Sequence, residues 1–179
     1  MGDPDDDILV RRAVDGSPEA IAALFARHWA GAWRAVYGIT GSRALADDVA
    51  QDGFERAIRH LDRLEVGRPF APWLHRIVVN RGRDVMRRER RSVGSGPLEA
   101  LAGEDAQGDV VERARARAAI AGLSLERRTV VVLHYWLGYS LAEVAGLLEI
   151  PLGTVHSRMG RALAELRRAL EAADAGRPR

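Results

Sequence analysis

The chain has no cysteine and no lysine, and only 6% of its 179 residues are aromatic. Without cysteine there is no disulfide framework, no thiol redox chemistry and no thiolate zinc site. The five histidines (His28, His60, His75, His134 and His156) show none of the paired spacings of a metal centre. The sequence therefore predicts no metal and no other cofactor. No apolar run is long enough to span a bilayer. The first residues are acidic (Asp3, Asp5, Asp6, Asp7) rather than those of a secretory signal. The expectation is a cytoplasmic protein without membrane insertion. There is no glycine-rich phosphate loop and no nucleophile elbow, so the chain offers no catalytic residue and does not read as an enzyme. Strand signals are almost missing too. The one β-branched run, Val130 to Val132, sits inside a longer helical pattern that ends at Gly138. The expected fold class is all-α.

With lysine absent, the cations are arginines, planar forks suited to phosphate or guanine. The net charge of +2 does not by itself argue for nucleic acid. The distribution of charge is more informative. Arg76, Arg81, Arg83, Arg87, Arg88, Arg90 and Arg91 crowd one short stretch, with only Asp84 and Glu89 among them.

Residues 140–167 carry the strongest local signal. Leu141, Val144, Ala145 and Leu148 share one helical face. Ser140 and Glu143 have capping-box spacing. Pro151 and Gly153 interrupt the chain. A second helix then follows, with Val155, Met159, Leu163, Leu166 and Leu170 expected as its buried stripe. Its other side holds Thr154, His156, Ser157, Arg158, Arg161, Arg167 and Arg168. A short capped helix, a tight turn and a basic helix make a helix-turn-helix, whose second helix can enter a major groove.

Upstream, Ile8, Leu9 and Val14 suggest a first helix closed by Gly16. Ser17 and Pro18 start a second helix, with Ile21, Leu24, Phe25, Trp29 and Trp33 expected inward and a break at Gly38 to Ser42. A third helix, roughly 44–61, should bury Val49, Ala50, Phe54, Ala57, Ile58 and Leu61. Its other face carries Asp48, Gln51, Asp52 and Glu55 at i, i+3, i+4, i+7. This row repels DNA phosphate. It reads equally as a docking face for a basic protein surface and as a solvated face with Asp52 pairing Arg56. A fourth helix, about 72–91, mixes Phe70, Trp73, Leu74, Ile77 and Val85 with arginines and Asn80. The arginines fit the phosphates of a single strand, and Asn80 a base edge. Phe70 and Trp73 fit a core better than a stacking platform, although stacking on bases is the other reading.

Residues 92–109 are Gly/Ser-rich and then acidic, as in a flexible linker. The expected organisation is a helical domain at 5–91, the linker at 92–109, a second helical domain with the helix-turn-helix at 110–171, and a disordered tail at 172–179.

At this point three stretches resemble one family. ADDVAQDGFERAIRHLDR resembles the core-polymerase-binding helix of bacterial RNA polymerase sigma factors of the extracytoplasmic-function (ECF) family. PFAPWLHRIVVNRGRDVMRRERR resembles their segment that melts and reads the downstream, minus-ten promoter element. GYSLAEVAGLLEIPLGTVHSRMGRALAELR resembles their helix-turn-helix for the upstream, minus-thirty-five element. The resemblance implies a sigma factor that binds core RNA polymerase and promoter DNA, both duplex and melted strand, and that has an anti-sigma protein as a potential antagonist. It assigns Asp47, Asp48, Gln51 and Asp52 to the polymerase clamp helices, with Glu55 completing the row. It places Asn80 beside a flipped base, in a pocket also formed by the loop before Phe70. The candidate strand-binding set is Arg68, Phe70, Trp73, Arg76, Asn80, Arg81, Arg83, Arg87 and Arg88. The upstream-element set is Thr154, His156, Ser157, Arg158 and Arg161, of which His156, Ser157 and Arg161 match groove-facing positions of the family. The family's linker threads polymerase channels, where Glu99, Glu104, Asp105 and Asp109 would mimic nucleic-acid charge. Gly53 and His156 depart from the family pattern. The alternative is a stand-alone regulator that binds duplex DNA as a dimer.

Overall fold

A computed structural model of the chain describes residues 4–65, 67–93 and 110–175. All regular structure among the described residues is helical. The elements are α1 (Pro4–Val14), α2 (Pro18–Thr40), α3 (Arg43–Arg59), a 3-10 turn (Leu61–Arg63), α4 (Phe70–Val93), α5 (Val110–Gly122), α6 (Leu125–Val131) running into a π turn (Val132–Trp136), α7 (Leu141–Leu148) and α8 (Leu152–Ala175). The all-α expectation holds.

The helix boundaries follow from local chemistry. Ser17 accepts a hydrogen bond from the Ala20 amide, and Pro18 occupies the first turn of α2, where its missing N–H costs nothing. The helix passes straight through Gly38 and ends at Gly41, whose φ of 74° is the left-handed conformation that glycine adopts freely. The break thus falls at Gly41 and Ser42, within the expected stretch Gly38 to Ser42, while Gly38 to Thr40 remain helical. Gly38 serves packing instead. Ser42 then caps α3 by accepting from the Leu45 amide.

The helices α2, α3 and α4 pack on one another around Leu24, Val36, Val49, Phe54, Phe70, Leu74 and Val78, with α1 laid along α2. The expected inner face of α2 needs one correction. Phe25 is 41% exposed, because it lies at the rim of the α2–α3 packing, stacked on Trp29. In the second unit, α6, α7 and α8 enclose Leu125, Val130, Leu133, Val144, Val155 and Met159. The stripe on α8 also needs correction. Leu163 and Leu170 are each 39% exposed, whereas Leu166 between them packs against the core. Ala162, fully buried, completes the inner face instead.

The two units pack against each other, through α2 with α6 and the π turn, and through α4 with α6 and α7. The linker expected at 92–109 lies outside the described residues from position 94 onward. The expected tail begins too early, since the Ala-rich end of α8 continues the helix to Ala175. Residues 176–179 lie outside the described residues.

Candidate nucleic-acid and protein-binding surfaces

The acidic row is displayed on one side of α3 because the opposite side is consumed by the core. Val49, Ala50, Phe54 and Ala57 are buried, while Asp47, Asp48, Gln51 and Glu55 are exposed. Asp47 is fixed by the Trp33 indole N–H, which donates to it at 2.6 Å. Gln51 donates to Glu55 at 3.1 Å. Asp52 is less free. Its carboxylate accepts from Arg56 at 3.1 Å and from Arg81 of α4 at 2.6 Å. Partial burial pushes the Asp52 carboxyl up, but the hydrogen bonds from Arg56 and Arg81, with their charges, hold it below the usual carboxylate range. The two readings of Asp52 thus coexist, as it pairs with Arg56 and still sits in the row. Beside Gln51 and Glu55, a cleft of about 750 Å³ opens between α2 and α3, walled by Ile21, Phe25, Trp29 and Ile58.

Gly53 has a structural account. A Cβ there would lie 2.5 Å from Val78 Cγ1, so the glycine lets α4 press directly against α3. The close approach is internal rather than to a partner.

On α4, Asn80, Arg87 and Arg88 are exposed, and Trp73, Arg76, Arg81 and Arg83 are partly so. Phe70 leaves the strand-binding set. It is 1% exposed and packs its ring edge-on to Phe54 with centroids 6.2 Å apart, so it is core and cannot stack on a base. Trp73 lies 6.0 Å from it and keeps one part open. Several arginines already hold carboxylates: Arg68 pairs with Glu65 at 2.7 Å, Arg81 with Asp52, Arg87 with Asp84 at 3.6 Å, and Arg76 with Glu149 of the second unit. Burial lowers the Arg83 pKa, and the nearby charges of Arg87 and Arg158 add to the effect.

The helix-turn-helix forms as its spacing suggests, with one difference. Ser140 and Glu143 make both bonds of the capping box, Ser140 Oγ accepting from the Glu143 amide and Glu143 accepting from the Ser140 amide at 2.8 Å. The sharp turn is made by Glu149, whose φ is 53°, not by Gly153, which lies within the first turn of α8. Val155, Met159 and Ala162 anchor α8. His156, Ser157 and Arg161 face solvent, and Thr154 and Arg158 are half-buried beside them. Thr154, Ser157, Arg158 and Arg161 fall at i, i+3, i+4 and i+7, so they share a face.

Sequence reasoning missed the residues that join the two units. Arg128 is 1% exposed, and its guanidinium donates to the carbonyls of Ile120, Ala121 and Leu123 and, at 2.9 Å, to that of Ile39 in α2. Burial, and then the charge of Arg90, lowers its pKa to about 10. His75 is buried, with Nδ1 2.6 Å from the Tyr139 hydroxyl. Nothing in the run LERRT distinguishes Arg128 from a surface cation. Its role depends on where α2 ends. Among the described residues no cluster of His, Asp or Glu is arranged to hold a metal, and no helix is long and apolar enough to cross a membrane.

Residues 24–92 match Sigma-70 region 2, and residues 113–166 match Sigma-70, region 4. The RNA polymerase sigma factor CnrH of Cupriavidus metallidurans is 33% identical across 93% of this chain and 95% of its own length. The ECF RNA polymerase sigma factor SigL of Mycobacterium tuberculosis is 34% identical across 83% of this chain and 88% of its own. The solved structure of CnrH in complex with the cytosolic domain of CnrY superposes with a TM-score of 0.73 at 32% identity, covering 93% of this chain and 97% of CnrH. The acidic α3, the asparagine–arginine surface of α4 and the helix-turn-helix thus lie inside two matched regions in the family's order, and the chain belongs to the ECF sigma factors, which bind core RNA polymerase and direct it to particular promoters.

Proposed function

We propose that the sigma-factor role is divided among three surfaces. The first unit, residues 5–91, docks on polymerase through Asp47, Asp48, Gln51, Asp52 and Glu55, and holds the melted downstream element with Asn80 and the arginines of α4. The second unit, residues 110–171, reads the upstream element in duplex form with Thr154, His156, Ser157, Arg158 and Arg161. The segment 92–109 connects them. The chain itself is not an enzyme; bond making belongs to the polymerase, and the protein works in the cytoplasm. A protein antagonist is part of this reading, supported by the complex of the related CnrH with CnrY.

One observation carries the division of labour. The acidic face of α3 and the Asn80 face of α4 are separately exposed yet joined by the Asp52–Arg81 ion pair. A stand-alone duplex-binding regulator has no use for either face. Extruding a base costs a few kcal/mol of stacking, which a pocket must return. Asn80→Ala should therefore lower transcription from a duplex promoter while core binding and upstream-element binding persist. A pre-melted bubble should recover the melting part of the defect and leave the loss of base preference. Unchanged rate and base preference on both templates would remove α4 from strand capture.

A further inference from the structure

We infer, on the reading that the acidic row of α3 docks on polymerase, that Trp33 of α2 is a positioning residue for that docking. Its indole N–H holds the Asp47 carboxylate in the orientation in which a cation of the polymerase meets it. Nothing in the sequence marks Trp33 for this role. Its spacing with Ile21, Leu24 and Trp29 places it on the inner face of α2, and it does pack against the core. Yet Trp33 is only half-buried, and its polar edge reaches α3, where Nε1 donates to Asp47 Oδ1 at 2.6 Å.

The bond has two supports. One is the seat of the indole. It stacks on Tyr37, one turn further along α2, with ring centroids 4.9 Å apart and planes 16° from parallel. Tyr37 is buried, so the indole cannot swing away without uncovering it. An indole also has only two side-chain torsions to fix, so holding it in place costs little entropy. The other support is the helix pair. Ala46 and Ala50 of α3 are fully buried where the helices α2 and α3 pack together. Asp47 follows Ala46 directly, and its side chain leaves α3 at the edge that borders Trp33.

The kind of donor matters as much as its place. Asp52, in the same row, accepts from Arg56 and Arg81, and both bring positive charge. The indole N–H is neutral, so it fixes Asp47 and leaves the negative charge uncancelled. A carboxylate has two oxygens and about four lone-pair sites, and the indole takes a site on Oδ1. Oδ2 stays open to a guanidinium or ammonium group of the partner, because Asp47 is exposed. The row is thus held from both neighbouring helices, Asp47 by α2 and Asp52 by α4, with Gln51 donating to Glu55 along α3. Side chains ordered before contact spare the complex the entropy of ordering them on binding.

The test is a double-mutant cycle on the full chain, read as affinity for core RNA polymerase. Trp33→Phe keeps an aromatic ring beside Tyr37 and removes the N–H. Asp47→Ala removes the acceptor. Trp33→Phe alone should weaken core binding by about threefold to tenfold. In the Asp47→Ala background it should weaken core binding no further. An equal loss in both backgrounds would make Trp33 a packing residue only and overturn the inference. Normal core affinity in Asp47→Ala would instead remove Asp47 from the docking row, and the positioning role with it. A second readout does not depend on how well Trp33→Phe folds. The chain has four tryptophans, each with one indole N–H signal in a proton–nitrogen correlation spectrum of the free protein. The Trp33 signal should move strongly in Asp47→Ala while those of Trp29, Trp73 and Trp136 stay in place. An unmoved Trp33 signal would mean that the bond is not made in solution, and would overturn the inference by itself.

Discussion

Gly53→Ala adds one methyl group at the contact between α3 and α4. The new Cβ would lie 2.5 Å from Val78 Cγ1, 3.3 Å from Val78 Cα and 3.4 Å from Val78 Cβ. Carbon atoms at rest stand about 3.5–4.0 Å apart. Two terms oppose. Replacing glycine inside a helix gains about 1 kcal/mol, whereas overpacking a filled core costs about 1–3 kcal/mol. The second should win. Val78 is fully buried, and a β-branched side chain in a helix has essentially one rotamer to offer. Its backbone is also within reach, so the helices themselves must part. A net loss of up to about 2 kcal/mol follows, read as a lower urea midpoint with unchanged slope. The double variant with Val78→Ala removes the Cγ1 collision, so the two changes should couple favourably by about 1 kcal/mol or more. Asp52 adjoins Gly53, and Arg81 is one turn beyond Val78, so their ion pair should loosen and polymerase affinity should fall with stability. A Gly53→Ala chain at least as stable as its parent, with no coupling to Val78→Ala, would refute the close-approach account.

Asp48→Arg should weaken association with core polymerase by about tenfold or more while circular dichroism is unchanged, because Asp48 is exposed on α3; normal core affinity would remove it from the docking face. Asp52→Asn should also cost stability of up to about 1 kcal/mol, since a half-exposed pair is lost in addition to a docking charge, and denaturation compared with Asp48→Arg measures the difference. Arg161→Ala should cost about 1–3 kcal/mol of upstream-element binding, concentrated on particular base pairs if it contacts a base edge; binding assays across substituted duplexes check this, and a uniform loss would mark a phosphate anchor. His75 is held neutral because burial, and then the charges of His28 and Arg34, lowers its pKa from 6.5 to about 4, with the Tyr139 hydroxyl as its facing partner from the second unit. The unfolded chain therefore binds the proton first, so stability is present above pH 6.5 and is lost as pH falls towards about 4, by at most about 3 kcal/mol. Urea melts at both ends of that window should show a smaller acid loss in His75→Gln, and equal losses in the two proteins would sink the assignment.

The parts legible in the sequence were those fixed by neighbours in the chain. The capping box of α7 needs only Ser140 and Glu143, the start of α2 only Ser17 and Pro18, and the acidic row only the period of one helix. Long-range geometry was not legible. Gly153 looked like the turn residue because it is a glycine, yet the turn needs its left-handed residue at Glu149, where the C-cap of α7 falls. Leu163 and Leu170 kept helical spacing yet stay exposed while Leu166 between them packs on the core, and Phe25 kept it at a rim. Arg128 carried no signal, because its partners are carbonyls of helix ends that come together only in the folded chain.

On the proposed reading, the contact between α3 and α4 matters beyond stability. Gly53 against Val78 brings the two helices together on one side, and on the other α4 packs on α2 at Gly82, where an added Cβ would still stand 3.7 Å from Val36 Cγ1 in ordinary contact. Packed to that closeness, the three helices cannot slide past one another without a clash or a void. The Asp52–Arg81 pair adds an electrostatic pin at the edge of the same contact. A polymerase surface that binds α3 therefore also fixes the position of Asn80, one residue before Arg81. Strand capture depends on placing a side chain within hydrogen-bond reach of a displaced base, and binding energy at one face supplies that placement only if the intervening helices are rigid. The glycine at position 53, which weakens α3 as a helix, is what allows that rigidity.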